Sequence, residues 1–141
     1  MVVEEHIDGL AVKRMKISKE LARSLIETSK SNEETVNNLL RIKNNPLPPV
    51  FVLAYDSLRM ILEALCAVKG YKVGSHIQLG ELVKEFYREF DYNTFDRVRW
   101  VRNSIQYYGQ DIDSGQGKEL ISKMLALKRE MLAILEEELK R

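Results

Sequence analysis

Hydrophobic residues recur every three or four positions along most of this chain. The spacing begins at Ile17, Leu21 and Leu25 and continues almost to the C-terminus, and side chains at such intervals lie on one face of an α-helix. No stretch shows the alternation of hydrophobic and polar positions that is typical of a half-buried strand, and no internal repeat is visible. The pattern therefore predicts an all-α fold.

The first half of the chain is divided by a few helix-breaking and capping residues. Residues 1–16 lack periodicity and are predicted to form an arm or connector before a single domain over residues 17–141. The segment 17–45 is predicted to be one helix or two, because Ser31-Asn32-Glu33-Glu34 has the pattern of a capping box. Pro46, Pro48 and Pro49 end this segment.

The next helix is the most apolar and is predicted to lie at the centre of the fold. Its stripe consists of Phe51, Ala54, Leu58, Ile61, Leu65 and Val68. Gly70 ends it, and Gly74-Ser75 opens another helix. Asn93-Thr94 is predicted to cap a helix over residues 95–108, residues 109–117 are predicted to form a turn-rich loop, and a final helix follows.

Composition excludes several function classes. The net charge is +1, with 45% hydrophobic and 30% charged residues, so nucleic-acid binding would need a local basic patch. No apolar run reaches the length of a membrane span and no signal peptide is recognisable, which predicts a cytoplasmic protein without membrane contact. Cys66 lies in an apolar run and is predicted to be a buried, inert thiol.

Metal and cofactor sites are not expected. Neither His6 nor His76 follows a Glu by three residues, and the three Cys and His residues are widely separated. No glycine-rich phosphate-binding loop and no nucleophile elbow is present.

The segment 95–108 is the most informative because it predicts two distinct helix faces. One face, predicted to meet the core, holds Val98, Val101, Ile105 and Tyr108, and the other holds Asp96, Arg99, Trp100, Asn103 and Tyr107. Aromatic and Arg residues on an exposed face suit either a protein interface or base stacking with phosphate contact. Both alternatives stay open on the residues alone.

Two polar residues near this helix have more than one interpretation. Arg102 lies at the margin of the core face, where a desolvated guanidinium would need a carboxylate partner such as Asp56 or Glu63. His76 is either a helix-start residue that hydrogen-bonds nearby backbone or a histidine that lines a binding site.

Four segments together resemble the HEPN family, especially its small archaeal and bacterial members. They are 54–65 (AYDSLRMILEAL), 69–72 (KGYK), His76 and 95–109 (FDRVRWVRNSIQYYG), and the resemblance covers roughly residues 30–135. It implies an antiparallel up-and-down bundle of four to five helices. It also implies a homodimer with a cleft at the twofold axis.

The resemblance further implies a function linked to RNA or nucleotides. Many HEPN proteins are metal-independent ribonucleases, often toxins neutralised by a minimal nucleotidyltransferase as antitoxin, and others only bind RNA or nucleotides. Their signature is Arg, a polar residue, a short spacer and His. Arg102 and Asn103 match the first two positions, whereas Tyr107, followed by Tyr108, occupies the His position. Tyrosine, with a pKa of about 10, is a poor base at pH 7, so the resemblance favours binding over cleavage.

Helix geometry adds a further expectation about this site. Arg102 and Tyr107 are five residues apart and diverge by about 140° on a regular helix, so one helix is not expected to direct both at one phosphate. A twofold-related pair could, which predicts a composite site with Arg102, Asn103 and Tyr107 from both chains as its catalytic set. The residues expected to contribute to binding are Arg99, Tyr108, His76, Asp56 and Glu63. The alternative function is a non-enzymatic protein–protein interaction module in which Trp100 and Tyr107 pack against a partner, and a small-ligand carrier is weaker still.

Overall fold

A computed structural model describes residues 12–141 and confirms the all-α helical bundle. Its elements are β1 (Val12–Arg14), α1 (Lys19–Leu40), α2 (Leu47–Ala67), β2 (Tyr71–Val73), α3 (His76–Phe86), α4 (Tyr92–Tyr108) and α5 (Ser114–Leu139). Residues 1–11 of the predicted arm lie outside the described residues. Across 12–141, no helix combines the length and the apolar character that crossing a membrane requires.

Helix α2 is the centre of the bundle, as its apolar stripe predicts. It packs against α1, α3, α4 and α5, and most of its residues are buried, including Phe51, Leu58 and Ile61. Pro48 and Pro49 lie in its first turn, where a missing backbone N–H costs nothing because that group has no intrahelical acceptor. Cys66 is buried as predicted, and burial raises the pKa of its thiol well above the ordinary value.

Helix α1 is one continuous helix, so the capping-box interpretation of residues 31–34 was wrong. The true N-cap is Ser18, whose hydroxyl accepts a hydrogen bond from the Leu21 N–H at 3.0 Å. No Gly or Pro interrupts the segment that follows, and a continuing helix already satisfies the N–H groups that a second cap would serve. Glu33 instead pairs with Lys128 of α5 at 2.7 Å.

The predicted starts of α4 and α5 were each a few residues late. Helix α4 begins at Tyr92 because Asp91 is its N-cap and accepts a hydrogen bond from the Thr94 N–H at 3.1 Å. Helix α5 begins at Ser114 because Asp113 accepts one from the Gln116 N–H at 3.0 Å. Asp is as strong an N-cap as Asn or Ser, and the connecting loop is correspondingly shorter than the predicted 109–117.

The small antiparallel sheet was not predicted. Its two strands pair Val12 with Val73, Lys13 with Lys72, and Arg14 with Tyr71, and three residues are too few to show a period-two pattern. Gly70 adopts a positive φ of 88° just before β2, and its carbonyl accepts a hydrogen bond from the Met15 N–H at 2.8 Å. This two-stranded ribbon leads directly into the start of α3.

Candidate functional site

A cleft of about 290 Å³ lies between the N-terminus of α3 and the second half of α4. It is lined by Gly74, Ser75, His76, Ile77, Arg99, Arg102, Asn103 and Tyr107. The structure therefore brings together five of the residues proposed from the sequence: His76, Arg99, Arg102, Asn103 and Tyr107. Tyr108, Asp56 and Glu63 do not line it.

Local packing positions α3 against α4 so that the cleft forms at their junction. The hydroxyl of Ser75 caps α3 by accepting a hydrogen bond from the Gln78 N–H at 3.4 Å, which fixes His76 as the first helical residue. One turn later, Gly80 lies against the ring of Phe95 in α4. A Cβ at Gly80 would come within 2.7 Å of that ring, so the close approach of the two helices requires glycine.

His76 is held by a buried tyrosine from α2 that sequence reasoning did not single out. The Tyr55 hydroxyl lies 3.0 Å from Nδ1 of His76, and the two rings are 5.5 Å apart. Burial, followed by the nearby positive charge of Arg102, lowers the pKa of His76 from 6.5 to about 4, so the imidazole is neutral at pH 7. Burial likewise raises the pKa of Tyr55 well above its ordinary value.

Arg102 is a half-buried cation in the lining of this cleft. Its guanidinium carbon lies 5.5 Å from the ring centre of Tyr55 and 6.0 Å from that of Tyr107, and Nη1 donates to Oδ1 of Asn103 at 3.3 Å. Its Nε is buried and has no hydrogen-bond partner within the part of the chain that the structure describes. The guanidinium thus lies near two aromatic rings, and its Nε donor has no partner among residues 12–141.

The predicted ion pair between Arg102 and Asp56 or Glu63 is wrong. Both carboxylates are bound by Arg59 of the same helix, which donates from Nε to Asp56 at 3.4 Å and from Nη1 to Glu63. Residues three and four apart on one helix are neighbours, so Arg59 reaches the two carboxylates without crossing to another helix. Among residues 12–141, no carboxylate lies within 4 Å of Arg102.

Arg99, the other cation in the cleft lining, is neutralised. It was predicted to lie on an exposed face, but it is buried, and Nη2 donates to Asp96 at 2.8 Å. Its guanidinium lies 5.2 Å from the ring centre of Trp100. Of the three arginines near the cleft, Arg59 and Arg99 have carboxylate partners, whereas Arg102 has none in the described part.

The structure also corrects the argument that one helix cannot direct Arg102 and Tyr107 at the same point. Both line the cleft although α4 remains helical to Tyr108. The divergence of about 140° applies to the Cα–Cβ directions, whereas the ends of these long side chains meet, with the Arg102 guanidinium carbon 6.0 Å from the centre of the Tyr107 ring. Tyr108 was predicted to meet the core but is 75% exposed, because α4 ends beside it at Gly109.

The rim of the cleft is apolar and aromatic. Ile77 is 49% exposed, Trp100 60% and Tyr107 70%, although single exposed hydrophobic side chains are ordinary on protein surfaces. Here they belong to the two helices that form the cleft, so the site combines an exposed aromatic edge with a cation that has no carboxylate partner among residues 12–141.

Within residues 12–141, no three His, Cys, Asp or Glu side chains form a group that could hold a metal ion. No model of a known protein family, no curated protein and no solved structure matches this chain.

Proposed function

We propose that the cleft between α3 and α4 binds a phosphate group of an RNA strand or a nucleotide. The observation that carries this proposal is the guanidinium of Arg102, which lies half-buried in the cleft without a carboxylate partner in the described part of the chain. A desolvated charge is costly unless an opposite charge compensates it. A phosphate oxygen is the partner that suits the planar donors of arginine.

The other cleft residues suit the rest of such a ligand. If Nδ1 of His76 accepts the Tyr55 hydroxyl proton, the imidazole proton lies on Nε2 and is available to a phosphate or ribose oxygen. The amide of Asn103 adds a donor and an acceptor, and the exposed ring of Tyr107 offers a face on which a base can stack.

This chemistry favours binding over cleavage. Attack of a ribose 2′-hydroxyl on phosphorus needs a base with a pKa near the working pH. The pKa of His76, about 4, makes it a weak base, and Tyr107 occupies the position where the HEPN signature has histidine. From the resemblance to the HEPN family, we also propose that the protein has a toxin-like role and that its partner is a small nucleotidyltransferase.

The exposed apolar rim supports a homodimer as part of the proposal. Ile77 and Tyr107 line the cleft, and Trp100 is exposed on the same helix as Tyr107; aromatic side chains are the common anchors of protein interfaces. A second copy seated on this rim would cover these side chains and place two Arg102 residues on either side of one shared cleft.

An NMR titration with a nucleoside monophosphate tests the binding site directly. We expect signals of His76, Asn103 and Tyr107 to shift in a saturable way in the wild type, and the shifts to be lost in Arg102→Met. Analytical ultracentrifugation of the same sample reports the oligomeric state. Shifts confined to surface residues away from the cleft, or identical shifts in the variant, would count against the proposal.

The exposed rim also favours a second candidate, a protein–protein interaction module without a nucleotide ligand. In that case Trp100→Asp would abolish association with a partner or a second copy, and no nucleotide or RNA would bind to the wild type. Nucleotide binding by the wild type that disappears in Arg102→Met would exclude it.

A further inference from the structure

The two-stranded ribbon formed by β1 and β2 carries a pair of lysines that fold stability does not explain. Lys13 and Lys72 occupy directly opposed positions in the antiparallel pairing, and both are exposed. Residues so opposed have Cα atoms about 4.5–5.5 Å apart, and like charges at such positions disfavour the pairing. Neither lysine has an ion-pair partner within residues 12–141.

The two faces of this ribbon differ in character. Val12, opposite Val73, is fully buried, so the face that bears these valines is turned towards the bundle. Side chains alternate between faces along a strand, which places Lys13 and Lys72 together on the outer, solvent-facing side. These two lysines make the outer side of the ribbon basic, although the whole chain carries only +1.

The ribbon is continuous with the cleft. Strand β2 ends at Val73, and the next residues, Gly74 and Ser75, already line the cleft. Two residues of chain span at most about 7 Å, and four span at most about 14 Å. The backbone of Lys72 is therefore within about 14 Å of that of His76, a separation that a nucleic-acid strand of a few nucleotides can bridge.

We propose that the outer face of the ribbon, with Lys13 and Lys72, is a second phosphate-binding surface for an RNA strand whose other phosphate lies against Arg102. The inference rests on the proposed function of the cleft and extends it from a single phosphate to a strand. Lysine ammonium groups bind phosphates as point charges without reading sequence. The ribbon therefore adds affinity for longer strands and no base specificity.

The test compares Lys13→Ala/Lys72→Ala with Lys30→Ala/Lys43→Ala. The control removes two lysines that are also exposed and do not line the cleft. For each protein, the affinity for a nucleoside monophosphate and for a single-stranded RNA of 12 nucleotides is measured over a range of salt concentrations. Circular dichroism confirms that both variants are folded.

We expect the ribbon variant to bind the 12-nucleotide RNA about tenfold more weakly than the control at low salt. The slope of log affinity against log salt should be shallower by about 1.4, which is about 0.7 for each lost phosphate contact on a single strand. Its affinity for the monophosphate should be unchanged, because the cleft is intact.

The possible outcomes separate this inference from the proposal for the cleft. RNA binding equal to that of the control overturns the ribbon site. The same conclusion follows if the ribbon variant binds RNA normally but self-associates, since the lysines would then only protect strand edges from pairing. Weaker binding of the monophosphate by the ribbon variant also overturns the ribbon site, because it would show that the two lysines act on the cleft and not on a second phosphate. RNA binding that is weakened in the ribbon variant but unchanged in Arg102→Met would support the phosphate site on the ribbon and contradict the phosphate site in the cleft.

Discussion

The hydroxyl of Tyr55 and Nδ1 of His76 lie 3.0 Å apart, and this contact joins the central helix α2 to the first residue of α3. Tyr55 is fully buried, so its position is fixed by the core. The core therefore orients the imidazole, and His76 faces the cleft in a defined direction although it begins a helix at the surface.

Tyr55→Phe removes this hydrogen bond and keeps the ring. We expect the free energy of unfolding to fall by about 1 kcal/mol, the usual net value of a hydrogen bond, and the affinity for a nucleoside monophosphate to fall several-fold as His76 loses its orientation. Urea denaturation and calorimetric titration measure the two effects. Tyr92→Phe is the control, because it removes a hydroxyl without a hydrogen bond in the described part of the chain. Equal effects of the two substitutions would contradict the role of the Tyr55 contact.

The lowered pKa of His76 makes stability depend on pH in a defined window. Between pH 6.5 and about 4 the unfolded chain binds a proton at this residue that the folded chain does not, so stability decreases as pH falls through this window. Tyr55 faces the imidazole, and the charges of Arg102, Arg59, Asp56 and Arg99 act on it.

His76→Gln should flatten this decrease, because glutamine does not titrate. The measurement is the melting temperature of wild type and variant at intervals from pH 7.5 to 4.5. Since every Asp and Glu is common to both proteins, the difference between the two curves isolates His76. Parallel curves would show that the imidazole is solvated and protonates normally.

Gly80→Ala tests the close approach of α3 and α4. Alanine favours a helix over glycine by about 1 kcal/mol, but its Cβ would lie 2.7 Å from the ring of Phe95. Because overpacking typically costs 1–3 kcal/mol, we expect a net loss of stability together with weaker nucleotide binding. Gly115→Ala, near the start of α5, is the matched control, since its Cβ would meet no atom closer than 3.5 Å; it should lose no stability and keep normal nucleotide binding. A stabilised Gly80→Ala variant with normal binding would contradict the packing argument.

The buried pair between Lys128 and Glu33 fixes α5 to α1. Lys128 is 3% exposed, and its ammonium donates to Glu33 at 2.7 Å and to the Ser29 carbonyl at 3.3 Å. Glu33→Ala leaves this charge without its carboxylate and should cost about 3 kcal/mol. Adding Lys128→Met to that variant should restore much of the loss in urea denaturation, because the stranded charge is removed. No recovery in the double variant would show that packing around Glu33, and not the charge, dominates.

Sequence periodicity was sufficient for the helical class and the central position of α2, because a long apolar stripe must be buried wherever the chain places it. Periodicity did not predict the first residues of α4 and α5. The N-caps are Asp91 and Asp113, and neighbouring residues in the sequence are equally suitable as N-caps. Helix register also assigned Asp56 and Glu63 to Arg102. It did not identify Arg59 as the arginine that binds both carboxylates. Tertiary contacts such as Tyr55 to His76, 21 residues apart, have no periodic signal, so the sequence suggested the cleft residues but not what holds them.

The central claim, that Arg102 is the phosphate-binding cation of the cleft, is tested most directly by the affinity of a short single-stranded RNA for the wild type, Arg102→Met and Arg97→Met. Arg97 lies on the same helix, is exposed and does not line the cleft, so the control removes the same charge. We predict that Arg102→Met lowers the affinity about 10- to 100-fold, the range for a charged hydrogen bond. Its unfolding free energy should be unchanged or higher by about 1 kcal/mol, since an uncompensated charge has been removed. Equal affinities of the two variants, or no RNA binding by the wild type, would contradict the account.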